Sequence, residues 1–381
     1  MDFELTSEQK MLAQTVASFV KQRSPVERFR KLRAAGRPHD QEVWAHMGEL
    51  GWLSVPFAEE AGGFGGGPVE VAIILEGLGK ALAPEPYLAS VVLAGLALAR
   101  AGSEAQHERW LAPMIEGDRV LALAWAERSG RYDGGAPGLT ARREGSGWTL
   151  QGEKVFVLGG QVAEHFVVSA STPDGLGLFV VDADGPGVER QGLRTIDGHG
   201  AARLQLTGAT VDDDRRLGEP GDTASAVLQR VLDLGAAAAC AEGLGVAQAM
   251  LDMTVAHLKE REQFGVPIGS FQVLQHHAVD MFVQVQLLRS MSVMASLRAD
   301  EPQDELRQRS VSAAKVTLAT AGRHVSQMAI QLHGGIGITD EHDIGLYFKR
   351  MLALNTMLGD EQHHVDRLAG LPGFVEQAAA G

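Results

Sequence analysis

Arg261-Glu262-Gln263-Phe264-Gly265-Val266-Pro267-Ile268-Gly269-Ser270-Phe271-Gln272-Val273-Leu274-Gln275 is the stretch from which the rest of the chain is read. A helix is expected to stop at Gly265, with Pro267 and Gly269 holding a short turn. Ser270 is then placed to cap a new amphipathic helix. An arginine, an amide and an aromatic ring (Arg261, Gln263, Phe264) are thereby delivered together at a helix end. That trio suits an anionic dinucleotide: guanidinium for pyrophosphate, amide for a hydrogen bond, ring for stacking. The plainer reading is an ordinary helix stop made of glycine and proline.

A second segment, Gln331-Leu332-His333-Gly334-Gly335-Ile336-Gly337, lies between helical patterns. Its glycines let backbone N–H groups approach a ligand closely, or simply allow tight packing. The two segments, in this order and separated by a long helical region, resemble the acyl-CoA dehydrogenase family. Leu53-Ser54-Val55-Pro56 with Gly62-Gly63-Phe64-Gly65, Gly152-Glu153-Lys154 and Tyr347-Phe348-Lys349-Arg350 extend the resemblance over essentially the whole chain. It implies an α+β architecture: a helical first domain, a middle antiparallel β barrel or sandwich, and a C-terminal four-helix bundle. It also implies FAD bound between the β domain and the bundle. Removal of an acyl-CoA α-proton, hydride transfer to flavin N5 and reoxidation by an electron-transfer flavoprotein would follow.

The residues themselves divide the chain the same way. With 381 residues, two or three domains are expected. Residues 1–118 read mostly as helices: Val16, Phe19 and Val20 share a face, and Val71, Ile74, Leu75 and Leu78 repeat at helical spacing. Thr6-Ser7-Glu8-Gln9 is a capping box, so the acidic start from Met1 to Leu5 reads as the approach to a helix and not as a signal peptide. Gly62–Gly67 fits neither dinucleotide nor P-loop spacing and reads as a turn. Residues 119–217 carry short strands at Trp148–Leu150, Val155–Leu158, Phe166–Val168, Leu178–Val181 and Leu204–Leu206. Residues 222–381 return to helices, the clearest over 270–297 with Phe271, Leu274, Ala278, Met281, Val285 and Leu288 on one stripe.

Composition narrows the partners. The formal net charge of −14 argues against nucleic acid or an anionic membrane surface. No uninterrupted apolar run reaches membrane-span length, because Leu88–Ala99 stops at Arg100 and the later Ala-rich stretch contains Glu242. Cytoplasm is the expected compartment. The single cysteine, Cys240, excludes an intrachain disulfide and reads as a small core residue. The adjacent pairs His276-His277 and His363-His364 point to different helix faces, so no metal site is expected. His333 reads first as a histidine satisfying backbone, and second as a contact to a cofactor phosphate.

What the resemblance demands is present only in part. The family's base is normally a glutamate just before a glycine after the Tyr347–Arg350 helix; here Gly359 follows Leu358, which cannot accept a proton. The alternative position, on the helix before Arg261, holds Gly235 beside Ala236. Asp360 and Glu361 are the candidate substitutes, with Asp233 behind them; a plainer role for the first two is to favour a helix start. The family's flavin-contacting Thr-Glu-Pro becomes Ala126-Glu127-Arg128, and its Trp-x-Thr becomes Phe156-Val157-Leu158. Each hydroxyl so lost leaves a buried flavin edge unmet, at about 1–3 kcal/mol.

Arg261, Gln263, Phe264, Gln331, Gly334 and Gly335 are intact, and in the family these positions reach the FAD of a neighbouring subunit. The groups this chain would lend are present, while those it would use itself are replaced. That asymmetry resembles the small, non-catalytic subunit of heteromeric acyl-CoA dehydrogenases, such as pimeloyl-CoA and steroid side-chain enzymes. The implied partners are an acyl-CoA, a second dehydrogenase subunit or another copy of this chain, and an electron-transfer flavoprotein. A self-sufficient homotetramer with a displaced base, a flavin-dependent monooxygenase on the same fold, and a flavin-free bundle are the competing readings. Arg131, Tyr132 and Asp133 read as a loop with possible ligand contact. Arg203, Arg215 and Arg216 read as a solvated edge, and Asp212-Asp213-Asp214 as a solvated boundary.

Overall fold

A computed structural model describes residues 4–372, so Met1, Asp2 and Phe3 of the acidic start and the last residues of the 222–381 region lie outside the described residues. Helix α1 (Ser7–Arg23) begins with the expected capping box: Thr6 Oγ1 accepts from Gln9 N, and Gln9 Oε1 accepts from Thr6 N. After α2 (Val26–Ala34) and α3 (Gln41–Glu49), Gly62 and Gly65 turn the chain with positive φ, and α4 (Pro68–Lys80) buries Val71, Ile74, Leu75 and Leu78. The apolar run Leu88–Gly95 winds as a buried π-helix into α5 (Leu96–Ala101), followed by α6 (Glu104–Gln106) and α7 (Ala112–Ile115).

An eight-stranded sheet follows, with all its strands between Leu121 and Leu217. They are β1 (Leu121–Ala124), β2 (Thr140–Glu144), β3 (Gly147–Leu158), β4 (His165–Thr172), β5 (Gly175–Asp182), β6 (Val188–Leu193), β7 (Ala201–Asp212) and β8 (Arg216–Leu217). The order is β6-β7-β3-β2-β4-β5-β8, with β1 also on β4. The sheet is not purely antiparallel, since β1 and β2 both pair in parallel with β4. Trp148–Leu150 and Val155–Leu158, expected as separate strands, are one continuous β3. Register shifts after Leu150 and Lys154 bend it, and the second carries Phe156 at φ +50°.

Helix α8 (Asp222–Glu260) runs for 39 residues. It is long and apolar enough to cross a membrane, which amends the expectation from sequence; 89% of its most apolar window is buried, as in the core helix of a globular fold. Glu242 interrupts that core because Arg350 Nε donates to it at 2.6 Å, an ion pair buried at both ends. Cys240 is fully buried, and burial pushes its thiol up to about 12.

Helix α8 ends at Glu260, not at Gly265. The chain instead makes a tight hairpin of β9 (Glu262–Gln263) and β10 (Val266–Pro267), with Phe264 and Gly265 both at positive φ. Two positive φ values form a mirror-image turn whose twist suits paired strands, so the helix gives way earlier. Ser270 does not cap the next helix. Its hydroxyl donates to Pro267 O inside a 3₁₀ turn, and α9 (Gln272–Arg298) starts without a side-chain cap. Of the stripe expected on α9, Met281, Val285 and Leu288 are buried, whereas Phe271 is exposed and Leu274 and Ala278 are half-buried. Helices α10 (Asp304–His333), α11 (Ile344–Thr356) and α12 (Glu361–Ala369) complete the bundle.

Compactness groups the described residues into two units. One comprises the chain up to Arg30, Pro68–Ala83 and everything from Ala236; the other comprises Lys31–Gly67 and Pro84–Gly235. The three-part division 1–118, 119–217 and 222–381 stays a proposal based on element type.

Candidate functional site

The hairpin presents its side chains outward. Arg261, Gln263 and Phe264 are exposed, Phe264 by 91%, and its ring meets only the edge of Phe271 at 6.0 Å among the ring contacts seen. Ile268 N donates to Arg261 O at 2.8 Å and closes the hairpin base. Gln263 Nε2 donates to the adjacent Glu262 O, so it engages no distant element through that bond.

The glycine-rich segment sits at the C-terminus of α10, as the sequence suggested. Gly334 adopts φ +63°, ψ −140°, a conformation reserved for glycine. Gly335 has ordinary φ, and a Cβ built there would meet no atom within 4 Å. Neither conformation nor packing therefore demands glycine at 335; the open space suits a ligand that must approach the backbone. Gln331, Gly334 and Gly335 are exposed, while His333 is buried with Nδ1 donating to Ala329 O at 2.7 Å. The His333 ring stacks on His257 of α8 at 4.6 Å and lies 4.7 Å from His342. The structure thus joins the glycine segment to the helix end that carries the hairpin.

The Leu358 loop lies elsewhere. Leu358 has φ +58°, and Gly359 has φ +115° with its Hα side against the imidazoles of His363 and His364. Lys315 of α10, fully buried, donates to Leu354 O at 2.9 Å and Met357 O at 2.6 Å, closing the C-terminus of α11. Burial pulls its ammonium down to about 8. His364 reaches Ser312 Oγ and Leu358 O, both at 3.1 Å, and burial holds its imidazole neutral. From Lys315 to His333 is roughly 27 Å along α10 at 1.5 Å per residue, so this loop packs against the middle of the helix while the glycine segment sits at its C-terminus.

Both carboxylates beside Leu358 have structural partners. Asp360 caps α12 by accepting from His363 N at 2.9 Å, and Glu361 pairs with Arg323. Asp233 is buried on α8 next to Gln229, with Gly235 and Ala236 following. Among the described residues no cluster of three or more His, Cys, Asp or Glu has the geometry to hold a metal ion.

In the other unit, Ala126 is half-buried, Phe156 is 64% exposed at its bulge, and Leu158 is half-buried. Glu127 anchors this region: it accepts from Lys154 Nζ at 2.7 Å and from the amides of Gly138 and Leu139. Burial pushes its carboxyl up, but Lys154 and the two amides outweigh that and leave it below its ordinary value. Burial also brings Lys154 down to about 8, with Trp125 O and Ser169 Oγ completing its shell. Arg203, Arg215 and Arg216 form surface ion pairs with Glu153, Asp182 and Glu219. Asp213 accepts from Trp148 Nε1 at 2.8 Å and Asp214 pairs with Arg109, so the acidic run is bonded too.

Sequence reasoning missed Lys315, the Glu127–Lys154 pair and the histidine stack. The available signal was Lys315 itself, a charge on the Val311, Leu318 face of α10 that is otherwise apolar.

Helices, then a sheet, then a helical bundle bearing a dinucleotide-type hairpin beside a glycine cradle define an oxidoreductase of the flavin-dependent dehydrogenase class. The chain belongs to the acyl-CoA dehydrogenase family, a family of FAD-dependent enzymes: it matches the family's N-terminal domain over residues 6–118, its middle domain over 122–209 and its C-terminal domain over 225–370. It is 35% identical over 356 residues to acyl-CoA dehydrogenase FadE27 of Mycobacterium tuberculosis, covering 91% of this chain and 92% of that one. Among solved structures it is similar to a chain of the ChsE4-ChsE5 complex from Mycobacterium tuberculosis. There the TM-score is 0.89 and the identity 33%, over 98% of this chain and 100% of that one. A variant of the Tcur3481-Tcur3483 steroid ACAD gives a TM-score of 0.86 at 32% identity, over 98% of this chain and 99% of that one.

Proposed function

We propose that this chain is a subunit of an FAD-linked acyl-CoA dehydrogenase that completes the cofactor site of a neighbouring subunit and lacks a base of its own. The observation that carries this reading is the contrast between the C-terminus of α10 and its middle. At the C-terminus, Arg261, Gln263, Phe264 and the open glycines project outward, ready for a ligand held by another chain. Beside the middle, the base position is an aliphatic side chain, and the carboxylates next to it already cap α12 and pair with Arg323. Bound FAD supplies the hydride acceptor; this chain would supply a guanidinium for its diphosphate, an aromatic face for its adenine and backbone amides at Gly334 and Gly335.

An outward-facing cofactor end needs another chain against it. Val279, Phe282, Val283 and Leu287 stand exposed along α9, an apolar ridge suited to pack against a partner's helices. Two relatives of known structure are described as a ChsE4-ChsE5 complex and a Tcur3481-Tcur3483 steroid ACAD, which supports a partner that is a second dehydrogenase subunit. The substrate would be an acyl-CoA thioester and the electron acceptor an electron-transfer flavoprotein.

The test compares the chain purified alone with the chain co-expressed with a second dehydrogenase-like subunit that carries the carboxylate. Little bound flavin and no dehydrogenation alone, with both appearing in the complex, are expected. Vigorous dehydrogenation by the isolated homomer would end this reading and favour the self-sufficient enzyme.

A further inference from the structure

The geometry points to a clasp: His333, stacked on His257 and packed at a tilt against His342, holds the hairpin and the glycine segment in one register as the positioning residue of the cofactor-binding end. This inference rests on the proposed cofactor role of that end.

Each ring is rooted in a different element. His257 lies one turn before the hairpin, and its carbonyl accepts from Arg261 N at 2.9 Å, so the end of α8 and the hairpin base move together. His333 lies between Gln331 and Gly334, where α10 gives way to the glycine turn. His342 precedes α11 and its Nδ1 accepts from Ile344 N at 3.1 Å. The central ring is 4% exposed, with one neighbour stacked at 23° and the other tilted at 55°.

Hydrogen bonding alone does not hold this ring. Because Ala329 O can only accept, His333 Nδ1 carries the proton, and Nε2 is a buried acceptor with no hydrogen-bond partner among the described residues. Contacts through the ring faces are what remain to fix its plane, and they tie two sequence motifs whose own side chains face solvent. A metal role is disfavoured by the same geometry. The stacked His257 and His333 set their lone pairs side by side, whereas a metal needs them converging on one point, and no such cluster is found among the described residues.

The clasp works while His257 and His333 are neutral. Burial brings His333 down to about 4, and burial together with His342 and Arg261 lowers His257. The ionisable groups facing the stack are Glu260 at the end of α8, Arg261 at the hairpin base and the histidines themselves. A second proton on the stack places like charges within ring contact and opposes stacking.

Hydrogen exchange in the full chain tests the clasp without a partner. His333→Ala should speed exchange about tenfold in both 262–268 and 334–338, and His333→Phe, which keeps a ring, should stay within about twofold of the wild type. His257→Ala, at a half-exposed position, should speed exchange in 334–338 as well. In the FAD-loaded complex, wild-type flavin release should accelerate as pH falls from about 6.5 toward 4, and His333→Phe should abolish that dependence. The clasp is overturned if His333→Ala leaves 262–268 unchanged, or if Phe exchanges as fast as Ala. Should no form retain flavin, the proposed function fails, and the exchange data alone still decide whether the clasp exists.

Discussion

Replacing Phe264 with asparagine should make the hairpin more stable and the cofactor weaker. Phe264 sits at φ +56°, where a side chain with an ordinary Cβ costs about 1–2 kcal/mol, while asparagine followed by glycine is the favoured pair for such a turn. Little is lost in return. The ring is 91% exposed, and its edge contact with Phe271 returns about 0.5 kcal/mol. The hairpin should therefore gain about 0.5–1.5 kcal/mol, which slows exchange of the Ile268 amide about two- to tenfold. Flavin should respond in the opposite direction: losing an aromatic face under a base costs about 1–3 kcal/mol, a 5- to 150-fold weaker FAD in the co-purified complex. Exchange on the free chain and fluorescence titration of the complex with FAD read the two effects separately. Faster exchange at Ile268, or FAD affinity within twofold of the wild type, would refute the reasoning.

The remaining expectations concern the bundle. Arg350→Met should destabilise by about 3–5 kcal/mol in urea unfolding because it strips a buried carboxylate of its guanidinium. Adding Glu242→Gln to it should recover most of that loss. His333 and His364 are held below their ordinary value of 6.5, so the unfolded chain takes up protons there that the folded chain refuses. Stability should be full above pH 6.5 and fall as pH drops toward 4, and His364→Gln should shallow that decline in urea midpoints. Gly335→Ala should leave stability within about 0.5 kcal/mol yet impair flavin retention. Gly359→Ala, whose Cβ would lie 2.4 Å from His364 Nε2 at φ +115°, should cost at least about 1–3 kcal/mol by thermal unfolding.

Much of the fold was legible where local rules act alone. The Thr6–Gln9 box and the α4 stripe are short-range patterns, and both appear as read. The hairpin was not legible because Phe-Gly does not announce a turn that Asn-Gly would. Strand β1, Leu-Ala-Leu-Ala, is buried at every position and shows no alternation, so it has no strand signature. At the site, the cofactor motifs were readable as residue types, but their partners were not. Glu242 finds Arg350 across 108 positions, and Lys315 serves carbonyls 39 and 42 residues away. Only the packed bundle brings such pairs together.

The backbone around Leu358 has one further implication. Its left-handed turn is set by Gly359 against two imidazoles and by the lysine beneath the end of α11, and none of these depends on what occupies position 358. A carboxylate would fit that peptide geometry as readily as an isobutyl group does. Position 358 is thus free to exchange an aliphatic side chain for an acidic one without rebuilding the turn that presents it.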